Sequence, residues 1–311
     1  MASDAVEDAA ARLGGLARRE VPIGPMTTYR VGGAAALFVE LTDATVVAAV
    51  QEAVAATGVD VLAVGKGSNL LVADRGFVGL AVTLGEGFTT IEVLEGGRVR
   101  TGAAVSLPVL ARRTAAASLT GFEWAVGVPG SVGGAVRMNA GGHGSDMAAV
   151  LRRYVFVDLR GGPDGEAPVD ALRYSYRHSS IEPHQVVMSA ELELASGDRA
   201  ASEAEISEIV RWRREHQPGG QNAGSIFTNP EGDSAGRLIE AAGLKGFRRG
   251  SAYVSPKHAN FFQADEGGSA DDVRRLIEEV QQRVEDETDI RLSPELRMVG
   301  FASDPPAQTR S

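Results

Sequence analysis

The chain contains no cysteine. That absence excludes disulfides, cysteine-ligated zinc, iron–sulfur clusters and a cysteine nucleophile, and it fits a reducing compartment. Aromatic residues make up only 5% of the 311 residues. No apolar run approaches the roughly 20 residues that span a membrane, and the N-terminal MASDAVEDAAARLGG carries acids where a signal peptide needs cations. We therefore expect a soluble cytoplasmic protein with no metal site and no membrane partner.

Positive charge is also in short supply. The chain has 31 Lys and Arg residues against 41 Asp and Glu residues, which gives a net charge of -10. Such a chain is a poor general binder of nucleic acid, so no nucleic-acid partner is expected. Its length is sufficient for two or three domains with cores of their own.

Hydrophobic periodicity and turn residues predict alternating strands and helices. A strand at 37–41, a helix at 42–58 and a strand at 59–65 form a β-α-β unit, in which Thr42 or Asp43 caps the helix and Gly58 ends it. The other predicted elements are a hairpin at 91–102, a helix at 106–121, strands at 152–160 and 184–194, a helix opened by a capping box at 202–205, and a helix at 269–287.

Glycine is abundant where other residues are scarce. The chain has 38 glycines, and seven of them lie in GVPGSVGGAVRMNAGGHG at 127–144. A second short loop, GKGSN at 65–69, follows a predicted strand. Bare backbone lets several N–H groups converge on one anion such as a pyrophosphate, although plain turns remain the alternative for GKGSN alone. Neither loop has the P-loop frame or the Rossmann fingerprint.

Seven motifs then follow one another from about residue 20 to 301. They are TTYRVGG (27–33), VGKGSNLLVAD (64–74), GVPGSVGGAVRMNAG (127–141), YSYR (174–177), NAGSIFTNP (222–230), AAGLKGFRRGSAYVSPKHANFFQ (241–263) and LSPELRMVG (292–300). In this order the chain resembles the UDP-N-acetylenolpyruvoylglucosamine reductase (MurB) family, in the branch that lacks an extra tyrosine loop.

The resemblance implies an α+β fold. It consists of a two-lobed FAD-binding domain of the p-cresol methylhydroxylase/vanillyl-alcohol oxidase type and a smaller α+β substrate-binding domain. We expect an N-terminal helical segment at 1–20, the FAD-binding domain at 21–196 with lobes at 21–86 and 87–196, and the substrate domain at 197–301. We expect a disordered tail at 302–311 and a monomeric protein.

The resemblance also implies the chemistry. The family uses NADPH and bound FAD to reduce UDP-N-acetylenolpyruvoylglucosamine to UDP-N-acetylmuramate, a cytoplasmic step of peptidoglycan synthesis. Carried over residue by residue, Ser225 becomes the proton donor, and Glu295 and Arg177 stabilise the enolate and the substrate carboxylate. Without the motifs, Ser225 would be interpreted as a turn serine and the other two as surface residues.

The same carry-over assigns the remaining contacts. The expected cofactor-binding residues are Tyr29, Arg30, Gly65, Lys66, Gly67, Ser68, Asn69, Gly127, Pro129, Gly130, Ser131, Gly133, Gly134, Asn139 and Ala140. The expected substrate-binding residues are Asn229, Arg211, Arg214, Lys257 and Arg297. Arg211 and Arg214 fit the solvated face of an amphipathic helix equally well.

The chain departs from the family pattern at two positions. Thr228 stands where a lysine is common, and His143 stands where many relatives have a tyrosine that stacks or packs. His178 and His258 are given no catalytic role, although His258 is expected near the site. Two other functions stay open at this point: a flavin-dependent oxidase of the same fold, and a non-catalytic protein that binds nucleotide sugars or flavin.

Overall fold

The computed structural model describes residues 2–301, so the predicted tail at 302–311 lies outside the described residues. The α-helices are α1 Ala2–Leu13, α2 Ala44–Thr57, α3 Leu107–Ala116, α4 Val132–Met138, α5 Arg199–His216, α6 Ala235–Ala241 and α7 Ala270–Thr288. The strands are β1 Arg18–Pro22, β2 Ala34–Leu41, β3 Val61–Ala63, β4 Leu70–Val72, β5 Phe77–Leu84, β6 Ile91–Val93, β7 Arg98–Gly102, β8 Leu119–Thr120, β9 Gly141–Gly142, β10 Ser145–Asp146, β11 Leu151–Asp158, β12 Gly165–Pro168, β13 Gln185–Glu193, β14 Ala195–Ser196, β15 Arg248–Arg249, β16 Ala252–Val254, β17 Phe262–Ala264 and β18 Arg297–Val299. No helix within the described range is both long and apolar enough to cross a lipid bilayer.

The described residues divide into two compact units, each assembled from separate stretches of chain. The first unit contains residues 2–19, Leu37–Lys66 and Gly79–Glu215, and the second contains Glu20–Ala36, Gly67–Val78 and residues 216–301. The domains expected from the sequence are contiguous instead, and they stay a prediction.

The first unit is built mainly on antiparallel pairing. One sheet has the strand order β12-β11-β13-β7-β6 with every neighbour antiparallel, and the predicted hairpin supplies β6 and β7. In the same unit, β3 runs parallel to β5 and pairs Val61 with Leu80. Helix α2 confirms the predicted caps, because the Asp43 carboxylate accepts the N–H groups of Thr45 and Val46 and Gly58 ends the helix at φ 65°.

Helix α5 begins earlier than the capping box predicted. The helix starts at Arg199, and the Asp198 carboxylate accepts the Ala201 N–H at 2.8 Å. Ser202, the expected cap, lies inside the helix, is 3% exposed, and donates its hydroxyl to the Glu123 carboxylate at 2.5 Å. The capping-box prediction is therefore wrong, because a tertiary contact with a buried carboxylate uses the serine that the local pattern assigned to a cap.

The second unit packs around helix α7. The predicted helix is confirmed, and its buried face contains Val273, Leu276, Ile277, Val280 and Val284. The same core receives Tyr29 and Leu71 from the early segments of the chain. Strand β18 runs parallel to β4 and pairs Arg297 with Leu70, so the end of the described chain is held next to the GKGSN segment.

The Asp74 carboxylate, which lies just after strand β4, caps helix α7. Asp74 accepts the Ser269 hydroxyl, the Ala270 N–H at 2.9 Å and the Asp271 N–H at 3.3 Å. These groups belong to the first turn, where backbone donors have no partner within a helix.

The Asp74→Ala variant should therefore lower the free energy of unfolding by about 1–2 kcal/mol, the usual cost of losing an N-cap. Urea unfolding followed by circular dichroism measures the change. Asp74→Asn keeps an acceptor oxygen and should recover most of it. If the alanine variant unfolds at the wild-type urea concentration, the Ser269 hydroxyl, which accepts the Asp272 N–H at 3.1 Å, is a sufficient cap for the helix.

Candidate active site

The glycine window folds into a turn that leads into helix α4. Ser131 caps this helix, with its hydroxyl 3.4 Å from the Gly134 nitrogen. The next amides are also used within the protein, because Val132 donates to the Val105 carbonyl and Gly133 to the Ala103 carbonyl, both at 2.9 Å. Within residues 2–301, the N–H groups of Gly130 and Ser131 have no acceptor. The donors available to an anion are therefore those just before the helix.

The GKGSN loop is richer in available donors. None of the backbone N–H groups from Gly65 to Asn69 donates to an acceptor in the described part of the chain. Position 65 also requires glycine, because a Cβ there would lie 2.7 Å from the Ser131 hydroxyl oxygen. Gly67 has φ 63°, and a Cβ there would lie 2.8 Å from the Met26 carbonyl oxygen. The loop thus combines bare backbone with unused donors.

Both glycine segments line one cavity of the first unit. Its volume is about 630 Å³ including the open mouth. The structure brings together five predicted cofactor residues in its wall, namely Gly65, Lys66, Ser131, Gly133 and Gly134. This size suits part of a large ligand.

Two residues of this wall are absent from the sequence prediction. The Arg137 guanidinium donates to the Glu182 carbonyl at 2.8 Å, and the Gln185 side-chain oxygen accepts the Glu182 N–H at 3.0 Å. Arg137 lies one helical turn after Gly133 and Gly134, so helical spacing within the glycine window was the signal for it. Gln185 opens strand β13, and no local pattern distinguishes it.

The TTYR segment places polar groups beside Gly67 in the second unit. The Thr28 N–H donates to the Gly67 carbonyl at 3.2 Å, and the buried Thr28 hydroxyl has no partner within residues 2–301. Tyr29 is fully buried, donates its hydroxyl to the Phe262 carbonyl at 3.1 Å, and has a pKa raised by burial. Packing explains Tyr29 here, whereas Arg30 is exposed at φ 55°. Their predicted cofactor contacts stay predictions.

These features fit the phosphate part of FAD. A pyrophosphate needs converging N–H donors and a cation, and bare backbone lets both approach it. In the first unit, the N–H groups of Gly65, Lys66, Gly130 and Ser131 supply donors, and the Lys66 side chain supplies charge. These residues would hold the cofactor.

Replacing Gly65 tests this fit without measuring turnover. The Gly65→Ala variant should bind FAD about tenfold more weakly, which corresponds to roughly 1.4 kcal/mol, because its Cβ displaces the Ser131 hydroxyl. Titration of the apoprotein with FAD, followed by quenching of flavin fluorescence, measures the dissociation constant. Gly165→Ala is the matched control, since a Cβ there meets nothing within 4 Å. Equal affinity of both variants would contradict the fit.

The end of the glycine window is fixed by buried polar contacts. Asn139 is 4% exposed, and its side chain bonds to the Asp146 carboxylate, the Ser175 carbonyl and the Ala148 N–H. Arg177 donates to the Asn139 carbonyl at 3.3 Å and to the Gly141 carbonyl at 2.7 Å. The Asn139 side chain thus makes its hydrogen bonds to neighbouring segments of the protein, and Arg177 is anchored to the backbone of Asn139 and Gly141.

His143 packs in the way that its tyrosine counterpart was expected to. Its ring meets the Trp212 ring edge-on with centroids 5.2 Å apart, and a Cβ on Gly127 would lie 3.2 Å from it. Burial and the nearby charge of Arg213 both lower the His143 pKa. The ring is therefore an uncharged packing element at neutral pH. Arg213 is the more buried of the three arginines at 211, 213 and 214, and sequence reasoning passed over it.

Two of the three predicted catalytic residues lie on hydrogen-bonded neighbouring segments of the second unit. Ser225 begins an extended segment, and the Glu295 N–H donates to the carbonyl of the next residue, Ile226, at 2.8 Å. The Ser225 side chain is exposed, and its hydroxyl has no partner in the described part of the chain. Glu295 is partly buried. Arg177 belongs to the first unit.

Asn69 ties the GKGSN loop to the Glu295 segment. Its side-chain amide donates to the Glu295 carbonyl at 3.0 Å, and its own carbonyl accepts the Arg297 N–H at 3.2 Å. Both contacts lie within the second unit. Asn69 was predicted to bind the cofactor, and the contacts that the structure gives it hold the backbone of a predicted catalytic residue.

The expected substrate residues of the second unit are spread over several segments. Asn229 is exposed, and its side-chain oxygen accepts the Ala235 N–H at 3.1 Å. Thr228, which replaces the common lysine, donates its hydroxyl to the Ser293 carbonyl at 3.3 Å. Lys257 is exposed, while burial lowers the pKa of the half-buried Arg297. Burial also lowers the pKa of His258, whose Nδ1 accepts the Asn260 N–H at 3.2 Å.

The arginines of helix α5 fit the alternative kept open for them. Arg211 is exposed and pairs with Glu208 one turn earlier, and this hydrogen bond raises the pKa of Arg211. Arg214 is exposed on the same helix. Their predicted phosphate contacts stay predictions.

Comparison with known proteins agrees with this geometry. Residues 35–162 match the family model of an FAD binding domain, and residues 216–299 match that of the UDP-N-acetylenolpyruvoylglucosamine reductase C-terminal domain. Proteins named UDP-N-acetylenolpyruvoylglucosamine reductase from Synechococcus sp. WH7803 and Syntrophotalea carbinolica are each 39% identical; the alignments cover 92% and 94% of this chain and 94% and 99% of theirs. A crystal structure of the Thermus caldophilus enzyme has a TM-score of 0.79 and 32% identity, covering 91% of this chain and all of that one.

The FAD binding domain and the similarity to these reductases define an FAD-dependent oxidoreductase. Within that class, the chain belongs to the UDP-N-acetylenolpyruvoylglucosamine reductase family. Members of the family use FAD and NADPH, so the predicted cofactors and the predicted fold class are confirmed. Membership also decides against the oxidase and the non-catalytic binding protein.

Proposed function

We propose that this protein reduces UDP-N-acetylenolpyruvoylglucosamine to UDP-N-acetylmuramate with NADPH, as a cytoplasmic step of peptidoglycan synthesis. The observation that carries the proposal is the pairing of the Ser225 and Glu295 segments through the Glu295 N–H and the Ile226 carbonyl. This pairing puts the Ser225 hydroxyl, which has no partner within residues 2–301, and the partly buried Glu295 carboxyl on adjacent segments. A reaction that adds hydride and proton across a carbon–carbon double bond needs both groups.

When bound, FAD would supply the hydride chemistry that connects NADPH with the vinyl carbon of the substrate. Ser225 then donates its proton to the neighbouring carbon. That carbon carries the carboxylate and is strongly basic after hydride addition, so an ordinary hydroxyl in the correct place is acidic enough. Glu295 and Arg177 stabilise the charge that develops on the carboxylate.

The remaining assignments are part of the same proposal. The predicted FAD residues hold the cofactor, with Thr28, Arg137 and Gln185 as additions. Asn229, Arg211, Arg214, Lys257 and Arg297 bind the nucleotide sugar. The FAD domain extends over 21–196 and the substrate domain over 197–301. The acidic net charge disfavours a nucleic-acid partner, and the protein acts as a monomer without a membrane partner.

An anaerobic absorption spectrum tests the proposal directly. The flavin band should bleach on addition of NADPH and return on addition of the enolpyruvyl nucleotide sugar. UDP-N-acetylglucosamine, which lacks the enolpyruvyl group, is the control and should leave the band bleached. If the band stays bleached with the enolpyruvyl substrate, the protein is a flavoprotein that NADPH reduces, but the proposed substrate is wrong.

A further inference from the structure

The segment that carries Ser225 has little regular structure to hold it. It is not part of any sheet, and isolated bridges connect Ser225 with Phe261 on one side and Phe227 with Pro294 on the other. A proton donor nevertheless needs a fixed position, because a misplacement of 1 Å can cost about a hundredfold in rate. Something other than a sheet must therefore hold this backbone.

The buried side chain of Asn260 supplies that support. Its Oδ1 accepts the Phe227 N–H at 3.0 Å, and its Nδ2 donates to the Phe227 carbonyl at 2.8 Å. The Asn260 backbone carbonyl also accepts the Ile226 N–H at 2.9 Å. One residue thus makes three hydrogen bonds to the two residues that follow Ser225.

The chemistry of these contacts requires an amide. Phe227 is 1% exposed and Asn260 is 3% exposed, so the backbone groups of Phe227 have no access to water. Each buried polar group that loses its partner carries a desolvation penalty. Asparagine and glutamine offer a donor and an acceptor side by side at every pH, and glutamine is one methylene too long for the same reach. The side chain replaces a strand partner that this segment lacks.

Asn260 is itself held in place. Its backbone N–H donates to His258 Nδ1 at 3.2 Å, and the His258 ring packs against Phe261 with centroids 4.8 Å apart. On the far side, the Ile226 carbonyl accepts the Glu295 N–H at 2.8 Å. The Ser225 segment therefore lies between Asn260 and the Glu295 segment, with hydrogen bonds on both sides.

We infer that Asn260 is a positioning residue for the proton-donating step, acting through the backbone of Ile226 and Phe227 on Ser225. The inference rests on the proposed role of Ser225. Asn260 touches neither substrate nor cofactor in this account. It acts by restricting where the Ser225 hydroxyl can lie.

The experiment separates the two half-reactions by stopped-flow absorbance. Asn260→Asp keeps the acceptor for the Phe227 N–H and has no donor for the Phe227 carbonyl once the new carboxyl is ionised, so the rates are measured over a pH series. Bleaching of the flavin band by NADPH should stay within about twofold of wild type, while its recovery with the enolpyruvyl substrate should slow by about a hundredfold, the cost of a misplaced reacting group. The solvent deuterium isotope effect on recovery should increase, because proton transfer becomes rate-limiting.

Two comparison variants make the result decisive. Leu276→Ala destabilises the same core, in which Leu276 is fully buried, without removing a hydrogen bond to the Ser225 segment, and should recover at the wild-type rate. Asn260→Ser is a smaller change that applies the same test if the aspartate variant does not fold. Equal slowing of both half-reactions, or an unchanged isotope effect with slow recovery, would overturn the inference and leave Asn260 a structural residue.

The failure of the inference is distinguishable from failure of the proposed function. If Ser225→Ala slows recovery and Asn260→Asp does not, the positioning role fails and the proton donor stands. If Ser225→Ala recovers at the wild-type rate, the proposed role of Ser225 fails, and the inference that rests on it fails with it.

Discussion

The Ser225→Ala variant is expected to lose turnover by about a thousandfold, within the roughly 10²–10⁴ that a positioned proton donor contributes. Its flavin should still bleach with NADPH at the wild-type rate, because the hydroxyl serves only the second half of the reaction. The fold should be unaffected, since the Ser225 side chain is exposed and its hydroxyl makes no hydrogen bond within residues 2–301. Steady-state turnover and anaerobic stopped-flow absorbance measure the two effects.

The control for this variant is Ser207→Ala, which removes an exposed serine hydroxyl from helix α5 and should leave turnover unchanged. Ser225→Cys restores an acidic proton at nearly the same place and should recover part of the loss. Full turnover by the alanine variant would mean that the proton comes from another group or from water.

The Glu295→Gln variant is expected to reduce turnover by about a hundredfold, at the low end of what an acid–base group contributes. Glutamine keeps the size of the side chain. The hydrogen bonds of Glu295 with Ile226 and Asn69 use the Glu295 backbone N–H and carbonyl, so the substitution leaves them in place. The loss would therefore reflect the missing acidic proton and charge. The rate of flavin reoxidation by the enolpyruvyl substrate measures it, and thermal unfolding checks that stability is unchanged.

Glu266→Gln provides the matched control in the same unit, since Glu266 is exposed on a turn, and its turnover should equal wild type. A Glu295→Gln variant that reoxidises at the wild-type rate would remove Glu295 from the catalytic set. If Glu295→Gln also unfolds at a lower temperature, part of its loss of turnover is due to disturbed packing.

Local chemistry made much of this fold predictable. Asp43 and Gly58 delimit helix α2 because a carboxylate cap and a left-handed glycine act on adjacent backbone. The buried stripe of helix α7 follows from a period of 3.6 residues. Motif order located Ser225 and Glu295, and the structure places their segments side by side.

What sequence reasoning missed depends on contacts between distant residues. Ser202 matched a capping box, yet its hydroxyl donates to the buried carboxylate of Glu123, which lies 79 positions earlier in the sequence. Asn260 lies 33 positions from Phe227, and no spacing rule connects a side-chain amide with a backbone that far away. Tyr29 matched a cofactor motif, and its contact with Phe262 spans 233 positions. Local patterns carry no information about partners at such separations.

The second unit has a consequence for how the protein is made. Ribosomes deliver Glu20–Ala36 and Gly67–Val78 early, but the rest of this unit arrives only from residue 216 onward. Tyr29 and Leu71 therefore cannot be buried in their core, and the Asp74 carboxylate cannot cap helix α7, until that helix has been synthesised. Domains normally fold in the order of synthesis, and exposed apolar segments attract chaperones or aggregate. The nascent chain thus carries unpaired segments for most of its translation, and a ribosome that stalls before residue 270 leaves a product that cannot complete its second core.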